Sequence, residues 1–160
     1  MGGYAFRAGG FVGVISDTHG LVRPEAVEAL KGSELIIHAG DVGGPGVLEE
    51  LGRVAPVVAV RGNNDRGEWA ERLPEYEALE VGGAFVYVLH DLKELGIAPA
   101  AAGFRVVVSG HSHKPLVEER RGVLYLNPGS AGPRRFKLPV TVARLKLDGA
   151  AASAEIINLL

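Results

Sequence analysis

The 160-residue chain contains no cysteine, which excludes disulfides, thiolate zinc sites and cysteine nucleophiles together. Any metal site must therefore be built from His, Asp, Glu and Asn. No apolar run approaches the roughly 20 residues that span a bilayer. Met1–Gly10 has neither the basic nor the apolar stretch of a signal peptide, so a cytoplasmic location without a membrane partner is expected. Basic residues form no long block and the net charge is −2, so nucleic acid is not required as a partner. A dinucleotide-binding turn needs Gly-x-Gly-x-x-Gly after the first strand, and Ser16–Pro24 offers only Gly20. The Walker pattern and solenoid-spaced repeats are missing as well.

What is present is the profile of an ordinary globular protein, 47% hydrophobic and 22% charged. The length suits a single domain over residues 11–160, behind a loose, glycine-rich leader over residues 1–10. Val- and Ile-rich runs at Phe11–Ile15, Leu35–Ile37, Val57–Val60, Phe85–Leu89 and Phe104–Val108 have buried-strand length. Pro24 and Pro45 open helical segments that Gly32 and Gly52 close. A weaker helix is expected within Leu92–Ala102. Strand–helix–strand alternation predicts right-handed parallel crossovers. Gly82-Gly83, Arg121-Gly122 and Asp148-Gly149 predict hairpins. The expected fold is an α/β two-sheet sandwich flanked by helices, with antiparallel hairpins in the C-terminal third.

Each of the five strand candidates ends in polar residues: Ser16-Asp17-Thr18-His19, His38-Ala39-Gly40-Asp41, Arg61-Gly62-Asn63-Asn64-Asp65, His90-Asp91 and Ser109-Gly110-His111-Ser112-His113. All five histidines of the chain fall in these junctions. Loops at the carboxyl ends of strands in open α/β sheets form the ligand crevice, so the five junctions should meet at one edge. Asp17 and His19, two apart, can face one cation from an extended loop, and His111 and His113 repeat the spacing. The seven candidate ligands Asp17, His19, Asp41, Asn63, His90, His111 and His113 exceed what one catalytic ion takes. They suit two divalent ions about 3.5–4 Å apart. This donor set fits Mn, Fe, Zn, Ni or Co better than an all-oxygen calcium cage. Two carboxylates against two divalent ions leave such a site positive and attractive to phosphate.

In order and context, Asp17-Thr18-His19, Gly40-Asp41, Gly62-Asn63-Asn64-Asp65, His90 and Gly110-His111-Ser112-His113 resemble the calcineurin-like metallophosphoesterases. The short length and Asn127-Pro128-Gly129-Ser130 are similar to the small single-domain, YfcE-like phosphodiesterase branch. The resemblance implies that Asp17, His19 and His113 hold one metal and that Asn63, His90 and His111 hold the other. Asp41 would bridge them together with a hydroxide that attacks phosphorus, while both metals offset the developing charge. The substrate would be a small phosphate ester, a diester in preference to a monoester. Many relatives have Gly-Asn-His-Glu where this chain has Gly62-Asn63-Asn64-Asp65, so Asn64 stands where a proton donor to the leaving group is usual. An amide donates a hydrogen bond but transfers no proton near neutral pH. Asn64 is thus a weak catalytic candidate, and esters with good leaving groups, or a proton from water, are implied. Asp91 stands where Gly is commoner, which leaves the shape of that loop open.

Simpler roles compete at several positions. His38 lies in an apolar run and reads as a satisfied core or supporting residue. Asp65 reads as an orienting hydrogen-bond acceptor, and Asn127–Ser130 as a turn beneath the site. Arg134, Arg135 and Lys137 read as a solvated loop, and Trp69 is left open between a cleft and an interface. The competing function is a non-catalytic scaffold, since a scaffold subunit of the retromer complex resembles this family in fold.

Overall fold

A computed structural model describes residues 2–4 and 10–160. Two mixed sheets face each other. The first five-stranded sheet is built from β2 (Val12–Ile15), β3 (Leu35–His38), β4 (Val57–Ala59), β10 (Thr141–Asp148) and β11 (Ala151–Asn158), in the order β11-β10-β2-β3-β4. The second sheet has β1 (Gly2–Tyr4), β5 (Tyr76–Val81), β6 (Ala84–Leu89), β7 (Val106–Val108), β8 (Leu116–Arg120) and β9 (Val123–Asn127), in the order β1-β5-β6-β7-β9-β8. Strands β2, β3 and β4 run parallel, as do β6, β7 and β9.

The pleat explains why the central strands are apolar on both faces. Val14, Ile37 and Ala143 point into the core between the sheets, beside Val86, Val88, Val108 and Leu126. Their neighbours Ile15, Ile36 and Val142 point outward under α1 (Pro24–Leu30) and α2 (Pro45–Gly52). Both helices start on proline, and Gly32 beyond α1 has φ 88°. Trp69, in the short α3 (Glu68–Glu71), is partly buried and packs against this same helical layer.

The hairpins β5/β6, β8/β9 and β10/β11 form as expected, with one shift. Asp148 pairs with Ala151, so the last turn is Gly149-Ala150 rather than Asp148-Gly149, and Gly149 takes the positive φ. The helix expected within Leu92–Ala102 is only a 3-10 turn at Leu92–Glu94, because Gly96 and Pro99 deny it a second helical turn. Within the stretch expected as a loose leader, the structure describes Gly2–Tyr4 as a short strand. These residues pair in parallel with Leu79–Val81, since a sheet edge offers backbone groups to any extended segment whatever its side chains. Residues 5–9 of that stretch lie outside the described residues. No helix among the described residues is long and apolar enough to cross a membrane.

Candidate metal centre

Loops from both sheets meet at one edge. Asp17 N donates to Gly40 O at 3.0 Å and His19 N to Asp41 O at 3.0 Å, joining the loops after β2 and β3. His111 N donates to Asp17 Oδ2 at 3.1 Å, and His90 Nδ1 lies 2.8 Å from Ala39 O, which ties in the second sheet. The approach is close enough to require glycine. A Cβ on Gly62 would fall 2.1 Å from Asp41 N, and one on Gly110 2.1 Å from Ser16 Oγ. Backbone strain collects at the same place. Among the described residues seven non-glycines have positive φ, and Asp17, His19, Asp41, His111 and His113 are five of them. Asp and His tolerate this region better than most residues, yet each such position costs about 1 kcal/mol or more and persists only where its surroundings enforce it.

The predicted ligands divide into groups. Asp17, His19 and His113 offer donor atoms within 4.8 Å of one another, and so do Asp17, Asp41 and His90. Both carboxylates lie between the groups: Asp41 Oδ2 is 3.3 Å from His90 Nε2 and 3.8 Å from His19 Nε2, and Asp17 Oδ1 is 3.3 Å from His113 Nε2 and 3.9 Å from His90 Nε2. Asn63 and His111 sit at the rim, with Oδ1 of Asn63 3.2 Å from Nδ1 of His111 and the His111 ring 5.1 Å from that of His90. All seven candidates therefore come together.

The fit of this pocket to cations rests on its unpartnered atoms. Among the described residues five buried side-chain polar atoms lack a hydrogen-bond partner, and four are Asp17 Oδ1, His19 Nε2, His90 Nε2 and His113 Nδ1. Buried polar atoms are normally paired, and unpartnered nitrogens and a carboxylate oxygen on residues grouped this closely match the donor set of divalent ions. The fifth, Arg23 Nε, lies outside the ligand set. His90 has the orientation usual for a ligand: Nδ1–H donates to the Ala39 carbonyl, which leaves the Nε2 lone pair free toward both aspartates.

A ring of hydrogen bonds holds the candidate ligands. Asp65 accepts from Val42 N, Gly43 N and Gly62 N at 3.2, 3.0 and 2.9 Å, fastening the Asp41 loop to the Asn63 loop as its orienting role requires. Ser16 Oγ donates to Asp17 Oδ2 at 2.7 Å, and Ser130 Oγ to Asp17 O at 3.1 Å. Asn127 does more than turn the chain: Nδ2 donates to Gly110 O and Ser112 Oγ, while Oδ1 accepts from Gly129 N. Asn127 and Ser130 also follow an apolar strand, so the rule that found the other junctions could have found them. Asn64, the weak candidate for the leaving-group position, has its backbone N–H and Nδ2 donating to the two oxygens of Asp41, each at 2.9 Å. Asp91 needs no glycine's freedom: its φ is −111° and its side chain accepts from Lys93 N. Arg134, Arg135 and Lys137 are exposed, and Arg134 Nε donates to Leu138 O.

Charge in the pocket follows from burial and neighbours. Burial pushes Asp17 up, but His113, the Ser16 hydroxyl and His90 outweigh it and hold the carboxyl below its usual value. For Asp41, burial is again outweighed, by His90 and the Asn64 N–H, and the carboxyl sits well below the carboxylate range. Burial pulls His90 down while Asp41 and Asp17 prevail in raising it. Both aspartates are thus ionised at neutral pH, as ligands must be.

His38 is fully buried, and burial drives it down to about 4. Its Nδ1 accepts from Gly40 N at 3.1 Å, and its Nε2–H faces Thr18 Oγ1 at 3.0 Å, whose own hydrogen goes to Val42 O. It is the satisfied, neutral residue expected. The unfolded chain binds a proton on His38 near 6.5, so between pH 6.5 and 4 the unfolded state holds more protons and stability falls as pH drops. His38→Asn should remove up to about 3 kcal/mol of that pH dependence. Urea denaturation at pH 7 and pH 4.5 checks this, and identical losses in both proteins would refute it.

A parallel-strand sandwich with an Asp/His cluster at one loop edge defines a class of metal-dependent hydrolases. The family model of the calcineurin-like phosphoesterase superfamily domain matches residues 11–150, and the chain belongs to that family. A curated relative from Methanothermobacter thermautotrophicus, named "Probable metallophosphoesterase", is 42% identical over 158 residues, covering 92% of this chain and 91% of its own. A solved structure described as a novel archaeal phosphodiesterase superposes with TM-score 0.76 at 25% identity, covering 92% of this chain and 99% of that one. The Yfce phosphoesterase of E. coli gives 0.67 at 22% identity, covering 94% and 100%. Zinc-complexed Vps29 of Entamoeba histolytica gives 0.69 at 21% identity, covering 94% and 99%, a likeness of fold alone.

Proposed function

We propose that this chain is a dinuclear-metal phosphoesterase that prefers phosphodiesters. The grouping of Asp17, His19, Asp41, His90 and His113 at a strained, multiply fastened loop edge, with four of their buried polar atoms unpartnered, carries the reading. Asp17, His19 and His113 are assigned to one ion, Asn63, His90 and His111 to the other, and Asp41 to both. Two first-row divalent ions (Mn, Fe, Co, Ni or Zn) bound there supply a water-derived nucleophile at neutral pH and counter the charge that develops on the phosphoryl oxygens. The side chains do the rest. Asp41, clamped by Asn64, is held in one orientation, and Asp65 keeps its loop in register. No side chain in the assigned set is free to protonate the leaving group, since Asn64 is an amide already engaged with Asp41. Esters of acidic alcohols should therefore react best. Kinship with the archaeal phosphodiesterase supports the diester preference.

The test is hydrolysis of bis-p-nitrophenyl phosphate and p-nitrophenyl phosphate by metal-stripped protein, with Mn, Ni, Co, Zn or Mg restored singly. Metal-dependent turnover with the diester ahead supports the reading in full. Monoester turnover ahead of diester would move the assignment to a phosphomonoesterase. Protein that binds two ions and hydrolyses neither ester would instead be a non-catalytic scaffold of the same fold.

A further inference from the structure

Against the outer face of the six-stranded sheet, beside the metal centre, lies a cavity of about 520 Å³. Asn63 and His90 form part of its wall, so a phosphate held by the centre would have this cavity as a neighbour. Tyr76, Tyr87 and Leu89 form another part. Tyr76, at the start of β5, is 61% exposed although it is large and aromatic. Its ring stacks on Tyr87, with centroids 5.8 Å apart and planes 18° from parallel. Tyr87 is only 8% exposed and is braced edge-on by Phe104 at 5.2 Å and 72°. Tyr87, backed by Phe104, thus supports the exposed Tyr76 ring from below to form a shelf, and an aromatic contact adds most to affinity where its surface is already packed in place.

The charge around this shelf narrows what it can take. Glu75, Asp91 and Glu94 line the cavity, and Arg61 is engaged with Glu75 at 3.0 Å. Among the described residues the lining arginine, Arg61, is already paired with Glu75, so a second phosphate or a carboxylate would face Glu75, Asp91 and Glu94. A flat, uncharged group would meet a π-face without any desolvated charge. The volume lies within the range of sites for small organic ligands.

We propose that this cavity seats a flat, uncharged ring carried as an ester substituent of the substrate, with Tyr76 as the residue that selects it. The proposal rests on the phosphoesterase reading above and sharpens it: aryl or nucleoside phosphodiesters are preferred over alkyl esters and over nucleoside polyphosphates.

Non-hydrolysable phosphonates test the shelf apart from turnover. Manganese-loaded full-length protein is titrated calorimetrically with phenylphosphonate and with methylphosphonate, which present the same anion with and without a ring. Phenylphosphonate should bind about tenfold more tightly, the effect of stacking one ring on an aromatic side chain. Tyr76→Ala should bring the ratio close to one with methylphosphonate affinity unchanged, and Tyr76→Phe should preserve the preference. The unchanged methylphosphonate affinity also reports that Tyr76→Ala is folded. A nucleoside 5′-phosphonate that binds more tightly than phenylphosphonate assigns the ring to a nucleobase, and one that binds less tightly assigns it to a simple aryl group. Equal affinities in the unmodified protein, or a ratio that survives Tyr76→Ala, overturn the proposal. Diester hydrolysis without ring preference removes the shelf and leaves the enzyme. Ring preference without hydrolysis does the reverse. Failure of both phosphonates to bind the metal-loaded protein overturns both.

Discussion

Asp41→Asn should lower diester turnover by at least about a thousandfold while leaving the protein folded. Asn is close in shape to Asp and tolerates the left-handed backbone conformation that Asp41 adopts at φ 55°. The substitution therefore removes the charge and one of the two hydrogen bonds accepted from Asn64 without adding backbone strain. That charge is the carboxylate nearest to both His19 and His90, held ionised by its neighbours. Under the proposed assignment its loss would weaken the hold on both ions and with it several kcal/mol of transition-state stabilisation, at 1.36 kcal/mol per tenfold in rate. Steady-state kcat with saturating metal and the number of ions retained after desalting are the two readings. Near-normal kcat with two ions bound would remove Asp41 from the bridging position.

Asp65→Ala should produce the largest loss of stability. Asp65 binds no cation in this assignment, yet its carboxylate accepts three backbone N–H groups from two loops 20 residues apart in sequence. Each buried donor left without an acceptor costs about 1–3 kcal/mol, so a loss of 3 kcal/mol or more is expected by the sum. The loop that carries Asp41 should loosen with it, and metal affinity should fall by about 10–100-fold, as it does when groups orienting ligands are removed. Urea denaturation of the metal-free protein measures the first effect and metal titration the second. A stability change below about 1 kcal/mol would mean that solvent replaces the carboxylate. Asp65→Asn, which keeps one oxygen acceptor, should fall between the two.

Both residues show how unevenly the site can be read from sequence. Asp41 and the other candidate ligands stand out because an apolar run followed at once by Asp, His or Asn is a local pattern, and local patterns survive translation into strand-plus-loop geometry. Asp65 is nearly as legible, because it closes the Gly62-Asn63-Asn64-Asp65 motif. The part played by Asn64 is not legible: whether its amide faces a leaving group or Asp41 depends on a contact across 23 positions. Asn127 and Ser130 are the intermediate case. Their strand–loop position was visible, but their partners Gly110 and Asp17 lie 17 and 113 residues away.

The candidate donor chemistry is legible in the amino-acid order alone, through the absence of cysteine and the placing of every histidine at a strand end. That order determined the hairpins too, because Gly pairs and β-branched runs act over a few residues. Only the tertiary structure decided that Gly2–Tyr4 joins a sheet through β5 and that the helix after Asp91 stops at Glu94. It alone decided that two carboxylates lie between two groups of histidines and that Tyr76 and Tyr87 share a shelf beside them. These features depend on which distant segments are brought within a few ångströms, and that follows from burying both sheets' apolar faces against each other, not from any short stretch of chain.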